Sequence, residues 1–495
     1  MSTQQPAGHD TRDLPNPDAT HKWVVAGTVL TGTMMAVLDT SIINVALPSM
    51  TGTFGATVEE ITWVVTGYIL AQVILMPITG MLSQRYGRRN FFMFSVAMFT
   101  IASMLCGLAK TLPMMVFFRI LQGAGGGALI TIPQAILRET FPAEEQGMAM
   151  GIYGMGVVLA PAFGPTLGGW LTDHYSWPWI FYINVPVGIL NVLLVSRFIH
   201  DPPYLVRQKG RIDWEGLGFL TVGLGALQLM LEQGERNDWF ESSYITILLL
   251  VAVIMLAFFV WRELVAKQPA VELHVLNDQS FTSATLLGGV LGMGLMGSIF
   301  LLPLFLQQLL GYDAMTSGIA MMPRSLAMAV IMPIGGRFYN KAGPKVFVAA
   351  GLLISAASFW QLSHLTSNVG FWDIFWPQLW QGVGFSLIFL ALSTAALATI
   401  PKPLMTQASG LYNVVRQIFG SVGIAIAASE LTRGIHKYNA TIRQDISMYD
   451  PTAQNFLRSA TAGMLRSGVD QFTARMRALK LLDLSILKQA AVGAY

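Results

Sequence analysis

Residues 38–48 read LDTSIINVALP and place one carboxylate, Asp39, inside an apolar run that extends over residues 23–48. About 20 apolar residues are enough for a helix to cross the hydrocarbon core of a bilayer. This run is apolar on every side, whereas a surface helix of a soluble protein is apolar on one face only. The stretch therefore predicts a membrane-spanning helix that carries a charged side chain deep inside it.

The composition of the whole chain also indicates a membrane protein. Its 495 residues are 53% hydrophobic and 12% charged, and that charged fraction is about half of what a soluble domain carries. The formal net charge of +3 does not indicate a nucleic-acid partner, because Lys and Arg stand in short stretches between apolar runs. Cys106 is the only cysteine, which excludes an intrachain disulfide and a cysteine-based metal cluster. No catalytic constellation and no cofactor are expected.

Apolar segments long enough to span a bilayer number about thirteen, in groups of six, two and five. They cover residues 23–48, 61–82, 91–109, 114–137, 147–171, 179–199, 214–231, 244–261, 281–310, 317–338, 346–365, 371–400 and 404–431. The predicted organisation is a disordered cytoplasmic tail (1–22), a six-helix bundle (23–200), an inserted helix pair with flanking loops (201–279), a second bundle of five spans (280–431) and an extracytoplasmic loop with an amphipathic tail (432–495). Frequent charges in residues 478–488 predict an amphipathic helix, so the last helix of the second bundle is expected to be missing.

Basic residues indicate the orientation of these spans. The connections 83–89, 207–211 and 340–345 are basic, whereas 48–60 and 173–177 contain neither Lys nor Arg. The positive-inside rule then places the N-terminus and the basic connections in the cytoplasm. We expect a multi-pass protein of the inner (cytoplasmic) membrane.

The connections that follow the second and the tenth span are similar in sequence. GMLSQRYGRR (80–89) and GRFYNKAGPK (336–345) share a glycine, a basic residue, a second glycine and a further basic residue at matching offsets. Two related bundles are the architecture of transporters that alternate access around a midplane site. Two unrelated basic turns remain the alternative.

Several motifs together resemble the 14-helix drug:proton antiporters of the EmrB/QacA type, which have the major facilitator fold. The motifs are residues 38–48, FRILQG (118–123), the Gly- and Pro-rich stretch 154–169, IDWEG (212–216), NVVRQ (413–417) and GSVG (420–423). The resemblance implies an all-α membrane protein with two pseudo-symmetric six-helix bundles and an inserted helix pair. It also implies proton-coupled efflux of amphiphilic compounds by alternating access.

The same resemblance implies conformational gating by two motifs, one in the connection after the second span and one in the fifth span. The gating residues are Gly80, Arg85, Gly87, Arg88, Pro161, Gly164, Pro165, Gly168 and Gly169. One position departs from the family pattern, because Gln84 stands where an acidic residue is usual. We expect this change to weaken the ion pair with Arg88.

The depth of Asp39 indicates its chemistry. It lies about nine residues from the outer end of its span, which is roughly 13 Å at about 1.5 Å per residue. An aspartate at this depth costs about 2.5–3.5 kcal/mol and needs a partner or a proton. Arg119 lies at a similar depth, and a conformational change that separates the two would switch the proton affinity of the carboxylate. We predict that Asp39 carries the proton and that Arg119 couples it, with a static ion pair as the alternative.

Amides and arginines within apolar spans are the candidates for a substrate cavity, because an amide that faces lipid is costly. An arginine in a span usually faces a cavity, a carboxylate or a lipid headgroup, and of Arg324 and Arg416 the latter is the stronger candidate. The predicted cavity residues are Asn44, Gln72, Gln122, Gln134, Gln307, Gln381, Asn413 and Arg416. The 27 methionines suit a cavity that accepts varied apolar ligands.

Other functions remain open from the sequence. The chain could export one native metabolite, siderophore or lipid, or it could be a non-transporting membrane sensor or assembly subunit. The expected partners are small amphiphilic substrates, protons and the lipid bilayer. If the source has an outer membrane, the resemblance further implies an EmrA-like periplasmic adaptor and an outer-membrane channel.

Overall fold

The computed structural model describes residues 19–202, 212–266, 268–366, 369–445, 451–467 and 470–494. Within these ranges the chain forms sixteen α-helices and no β-strand. In chain order they are α1 (Ala19–Phe54), α2 (Val58–Ile61), α3 (Trp63–Tyr86), α4 (Arg88–Gly107), α5 (Leu112–Thr140), α6 (Gln146–His174), α7 (Trp179–Tyr182), α8 (Asn184–Phe198), α9 (Trp214–Gln233), α10 (Ser243–Val265), α11 (Gln279–Leu304), α12 (Ala314–Leu362), α13 (Phe371–Ala396), α14 (Met405–Asp445), α15 (Pro451–Arg466) and α16 (Gln471–Ala494).

Twelve helices of the described ranges are long and apolar enough to cross a membrane. The sequence predicts about thirteen spans, and the difference lies in α12, which contains two of them. Gly343 interrupts α12 with φ 78° and ψ 162°. Gly382 of α13 packs against Arg324, and Gly384 packs against Gly351. A straight helix would separate Arg324 from Gly351 by about 40 Å, so the chain reverses at Gly343 and α12 crosses twice.

The internal repeat in the sequence is also present in the backbone. Gly87 joins α3 to α4 with φ 86° and ψ 140°, close to the angles of Gly343. Both glycines have a positive φ, which a residue with a Cβ rarely adopts. Each therefore forms the same tight turn between the second and the third helix of its bundle.

We call the side on which α1 begins the inner side and the side on which α1 ends the outer side. The two bundles contact each other along α3 and α5 with α14 and along α6 with α12, and we call these contacts the inner seam. Glycines of one bundle pack directly against the other there: Gly80 on Gln407, Gly410 on Met76, Gly147 on Gly336, and Gly151 on Met332. These residues all lie in the inner halves of their helices.

The inserted pair, α9 and α10, packs together with Phe219 stacked on Phe258 at 5.6 Å between ring centroids. Asp213 caps α9 by accepting from the Gly216 N–H at 3.1 Å and pairs with Arg262 of α10 at 2.9 Å. Partial burial alone would raise the pKa of Asp213, but the hydrogen bonds from Arg262 and Gly216 hold it below its ordinary value. The Asp213–Arg262 ion pair therefore joins α9 and α10 at their inner ends.

Most of the described residues after the last predicted span are helical. The span predicted to end at residue 431 continues in α14 to Asp445, and the predicted amphipathic stretch 478–488 lies within α16. Arg443 of α14 forms an ion pair with Asp483 of α16. At the other end, residues 1–18 of the predicted tail and the basic connection 207–211 lie outside the described residues, whereas residues 19–22 belong to α1.

Candidate functional site

The carboxylate of Asp39 lies at the centre of a polar cluster inside the first bundle. Its side chain is 1% exposed. Oδ2 accepts from Arg119 Nη1 at 2.5 Å, and Oδ1 accepts from Gln122 Nε2 at 2.8 Å and from Asn184 Nδ2 at 3.0 Å. The predicted meeting of Asp39 and Arg119 is therefore observed, and two amides complete the hydrogen bonding of the carboxylate.

The guanidinium of Arg119 is fully buried and is held from several sides. Its Nε donates to the Val64 carbonyl at 3.0 Å, and its Nη1 also donates to Gln122 Oε1 at 2.8 Å. The Tyr68 ring centroid lies 4.2 Å from its central carbon, which adds a cation–π contact. Removal of one partner of such a buried pair typically costs about 3–5 kcal/mol, because it leaves a charge uncompensated.

Asn184 and Ser103 belong to this cluster, although the sequence analysis did not select them. Asn184 Nδ2 also donates to Ser103 Oγ at 3.1 Å. The sequence does offer one indication, because Asn184 places an amide near the start of an apolar span. The glutamines were chosen as cavity candidates for the same reason. A lone amide does not reveal which carboxylate it faces, so its partner required the structure.

Two residues predicted for the cavity, Gln134 and Asn413, meet in the inner seam. Gln134 Oε1 accepts from Asn413 Nδ2 and from Ser409 Oγ, each at 2.8 Å. Ser409 Oγ also donates to the Thr131 carbonyl at 2.8 Å. These bonds join α5 of the first bundle to α14 of the second. In this conformation the two predicted residues lie in the contact that closes the inner side.

Gln84 contributes to the same seam in place of the expected acidic residue. Its Nε2 donates to the Pro403 carbonyl at 3.0 Å, and its Oε1 accepts from Gln407 Nε2 at 3.2 Å. The neutral amide of Gln84 therefore links the bundles through two hydrogen bonds. At the α6–α12 contact, Asn340 Nδ2 donates to the Glu144 carbonyl at 2.6 Å.

Arg88 has its ionic partner elsewhere, in Glu139 of α5. The two form a bidentate pair with N–O distances of 2.5 and 3.0 Å. From the sequence we expected a weak ion pair at Arg88, because Gln84 replaces the usual acidic residue. The structure shows that Glu139 pairs with Arg88 instead. Arg85, the other basic gating residue, is half-buried in the same connection.

The gating residues of α6 lie where this helix passes from one partner to another. Near its start α6 packs against α12, and farther out Gly164 and Gly168 pack against Ser41 and Ile42 of α1. The Ser41 hydroxyl donates to the Pro161 carbonyl at 2.9 Å, an oxygen whose helical partner position is occupied by Pro165. Gly169 has more room, since a side chain there would meet only Val45 at 3.7 Å.

The remaining predicted cavity residues occupy separate positions. Arg416 is half-buried, with its guanidinium carbon 5.1 Å from the Phe389 ring centroid and 5.9 Å from that of Tyr412. Gln72 is buried and donates to Tyr68 at 3.3 Å. The positions of the others are as follows: Asn44 is exposed in the outer half of α1, Gln307 is exposed in the π-helical segment Phe305–Leu309 that follows α11, Gln122 lies in the Asp39 cluster, and Gln381 is buried in the second bundle. Among the described residues, no group of His, Cys, Asp and Glu has the arrangement of a metal site.

Comparisons with known proteins agree with this architecture. The model of the Major Facilitator Superfamily matches residues 29–424. The chain is 37% identical over 433 residues to the multidrug export protein EmrB of Haemophilus influenzae, covering 86% of this chain and 83% of that protein. It is 35% identical to the fatty acid resistance protein FarB of Neisseria gonorrhoeae, covering 92% of this chain and 89% of FarB. The solved structure of the proton:xylose symporter XylE matches with a TM-score of 0.61 and 12% identity, over 96% of this chain and 95% of that one.

Proposed function

This chain belongs to the Major Facilitator Superfamily and is a transporter, and from its resemblance to the EmrB exporters we infer that it exports small amphiphilic compounds in exchange for protons. The named activities of EmrB and FarB support export. The Asp39 cluster supports proton coupling, because it is a buried carboxylate whose charge is balanced by one arginine. The proposal rests on this cluster.

We propose that Asp39 alternates between an ionised and a protonated state. While ionised, it is stabilised by Arg119 and by the amides of Gln122 and Asn184. Once protonated, it no longer balances the guanidinium, and the attraction that holds α1 to α5 at this level is lost. Arg119 then depends on its neutral contacts with Val64, Gln122 and Tyr68. Protonation therefore changes the force between two helices of the first bundle, which is what coupling to a conformational change requires.

The inner seam supplies the second part of alternating access. It joins the bundles through the amides of Gln84, Gln407, Gln134 and Asn413, so the structure corresponds to a conformation closed on the inner side. Hydrogen bonds between neutral amides can be exchanged for water at modest net cost. We propose that the inner side faces the cytoplasm, that the protein lies in the cytoplasmic membrane, and that the opposite conformation separates these amides. Arg85, Arg88 and Lys341 all lie near the inner ends of their helices, which supports this orientation.

The proposal is tested by efflux of a fluorescent dye from cells that express the protein. We expect Asp39→Asn to lose the uncoupler-sensitive efflux, since an amide cannot exchange a proton, while Asp39→Glu keeps part of it. Exposed Asp238, a carboxylate outside the cluster, provides the control, and Asp238→Asn should transport like the wild type. Uncoupler-sensitive efflux of normal rate in Asp39→Asn would refute the assignment of the proton carrier.

Export of a narrower class of compounds is the second candidate, because FarB is named for resistance to fatty acids. Resistance profiling over many compounds separates broad from narrow export. By resemblance, we also propose an EmrA-like adaptor and an outer-membrane channel as partners where the cell has an outer membrane. Co-purification of an adaptor with the tagged protein tests that part.

A further inference from the structure

The second bundle contains a polar cluster that corresponds to the Asp39 cluster but includes no carboxylate. Gln122 and Gly123 in α5 correspond to Gln381 and Gly382 in α13. Gly123 packs against the backbone of Tyr68, and Gly382 packs in the same way against the backbone of Arg324. Tyr68 and Arg324 stand at the same distance in sequence from the repeated glycines Gly80 and Gly336. The match therefore holds in sequence and in packing.

The component that the second cluster lacks is the carboxylate. Gln122 bonds to Asp39 in the first bundle, whereas Gln381 Oε1 accepts from the hydroxyl of Ser298 at 3.1 Å in the second. The arginine is present, because Arg324 takes the place of Tyr68, but its counterion is not. Within the described part of the chain, Arg324 forms no ion pair, and its Nη1 reaches only Ser298 Oγ at 3.4 Å and Gln381 Oε1 at 3.3 Å. Charge-assisted bonds of a guanidinium are typically about 2.7–2.9 Å.

The hydrogen bonding of the cluster is incomplete. Ser298, Arg324 and Gln378 all donate to the single neutral oxygen Gln381 Oε1, the last at 3.4 Å. Gln381 Nε2 and Gln378 Oε1 are both buried without a partner. Arg324 is 5% exposed and stands about 15 Å along α12 from its outer start. A buried guanidinium with only long bonds to neutral oxygens is an incomplete site, because a charge at this depth is usually paired.

We propose that Ser298, Arg324, Gln378 and Gln381 form a binding site for an anionic headgroup, and that the transported compound is an amphiphile with a carboxylate. The inference rests on the proposed export function and names its substrate class. The carboxylate occupies the position that Asp39 has in the first bundle: one oxygen accepts from the Arg324 guanidinium, and the other accepts from Gln381 Nε2. The Ser298 hydroxyl turns from Gln381 to the ligand.

The test compares three probes that share a ten-carbon chain, on the purified full-length protein in nanodiscs, with tryptophan fluorescence as the readout of binding. The probes are decanoate, its uncharged methyl ester and decyltrimethylammonium. We expect decanoate to bind about 10- to 100-fold more tightly than the ester, which is the contribution of a charge-assisted hydrogen bond. Arg324→Gln should remove this preference and Arg324→Lys should retain part of it. Arg433→Gln, which removes an arginine exposed on the outer part of α14, should leave it unchanged.

A second variant keeps the test decisive if Arg324→Gln fails to fold. Ser298→Asp supplies the missing carboxylate from the chain itself, so we expect a higher unfolding temperature and no preference for decanoate. An unchanged preference for decanoate in Arg324→Gln or in Ser298→Asp would overturn the proposal. Equal binding of decanoate and its ester would do the same, and so would complete displacement of decanoate by chloride at equal concentration, which would indicate an inorganic anion site.

The preference for decanoate over its ester does not depend on proton exchange, even where the affinity for both probes changes. Asp39→Asn should therefore keep this preference, because Arg324 lies in the other bundle. Loss of efflux in Asp39→Asn together with normal decanoate preference would support both proposals. A normal preference in a protein whose efflux does not depend on Asp39 would refute the proton carrier and keep the anion site.

Discussion

At the scale of residues, the protein places two arginines in equivalent layers of its bundles and gives only one of them a carboxylate. Asp39 and Arg119 could be predicted from the sequence, because a charge in an apolar span is costly and must find a partner. The roles of Asn184 and Ser298 could not be predicted, since a single amide or hydroxyl can find a hydrogen-bond partner in many different environments. Their partners depend on how helices far apart in sequence pack together, and this information is not local.

We predict that Asn184→Ala shifts the pH dependence of transport. Asn184 donates to Asp39 Oδ1, so its removal takes one hydrogen bond from the carboxylate that we propose as the proton carrier, and the pH dependence of transport should change. Asn191 provides a matched control, because it is buried in the same helix and donates to the Thr28 carbonyl at 2.7 Å, away from Asp39. Each variant should lose about 1–2 kcal/mol of stability, but only Asn184→Ala should move the pH profile of uptake into everted vesicles. Equal profiles would assign Asn184 a packing role alone.

At the scale of elements, glycines determine how closely the helices approach. The repeat of Gly87 and Gly343 could be predicted from the two similar connections, and the structure gives both the same left-handed backbone. Helix ends were harder to predict. Pro48 suggested the end of the first span, yet α1 continues to Phe54, because a proline removes one hydrogen bond and neighbouring turns keep the helix intact. The sequence did not distinguish the α6 glycines that contact the second bundle, Gly147 and Gly151, from those that contact α1, Gly164 and Gly168.

We predict that Gly151→Leu opens the inner seam. A side chain at Gly151 would collide with the backbone of Met332 in α12, so the bundles must separate on that side. The measurement is maleimide labelling of Ser409→Cys, a buried seam position, in a background without Cys106. Labelling should be slow while Gly151 is kept and about tenfold faster once Gly151→Leu is added, on the assumption that the collision costs about 1.4 kcal/mol or more. Gly27→Leu in α1 is the control, because nothing lies within 4 Å of its added Cβ. Equally slow labelling with and without Gly151→Leu would contradict the assignment of this contact to the seam.

At the scale of the whole molecule, we propose two separate events. Protonation breaks the charge pair of the first bundle, and the neutral contacts of the inner seam between the bundles open. The inserted pair bonds to the second bundle at Gln228 with Ser421 and reaches the first bundle at Arg236 with Thr62. The membrane class and the paired bundles followed from composition, spacing and motifs. Which side is closed could not be predicted, because one sequence encodes all conformations of a transporter.

The central claim is that Asp39 exchanges a proton for the substrate, and proton release on binding measures this directly. Purified protein in weakly buffered solution with a pH indicator is mixed with a compound that the expressing cells export. We predict release of about one proton per bound substrate in the wild type, since the two ligands oppose each other by linkage. Asp39→Asn should bind the compound and release none. Release of a proton from Asp39→Asn, equal to that of the wild type, would contradict the account.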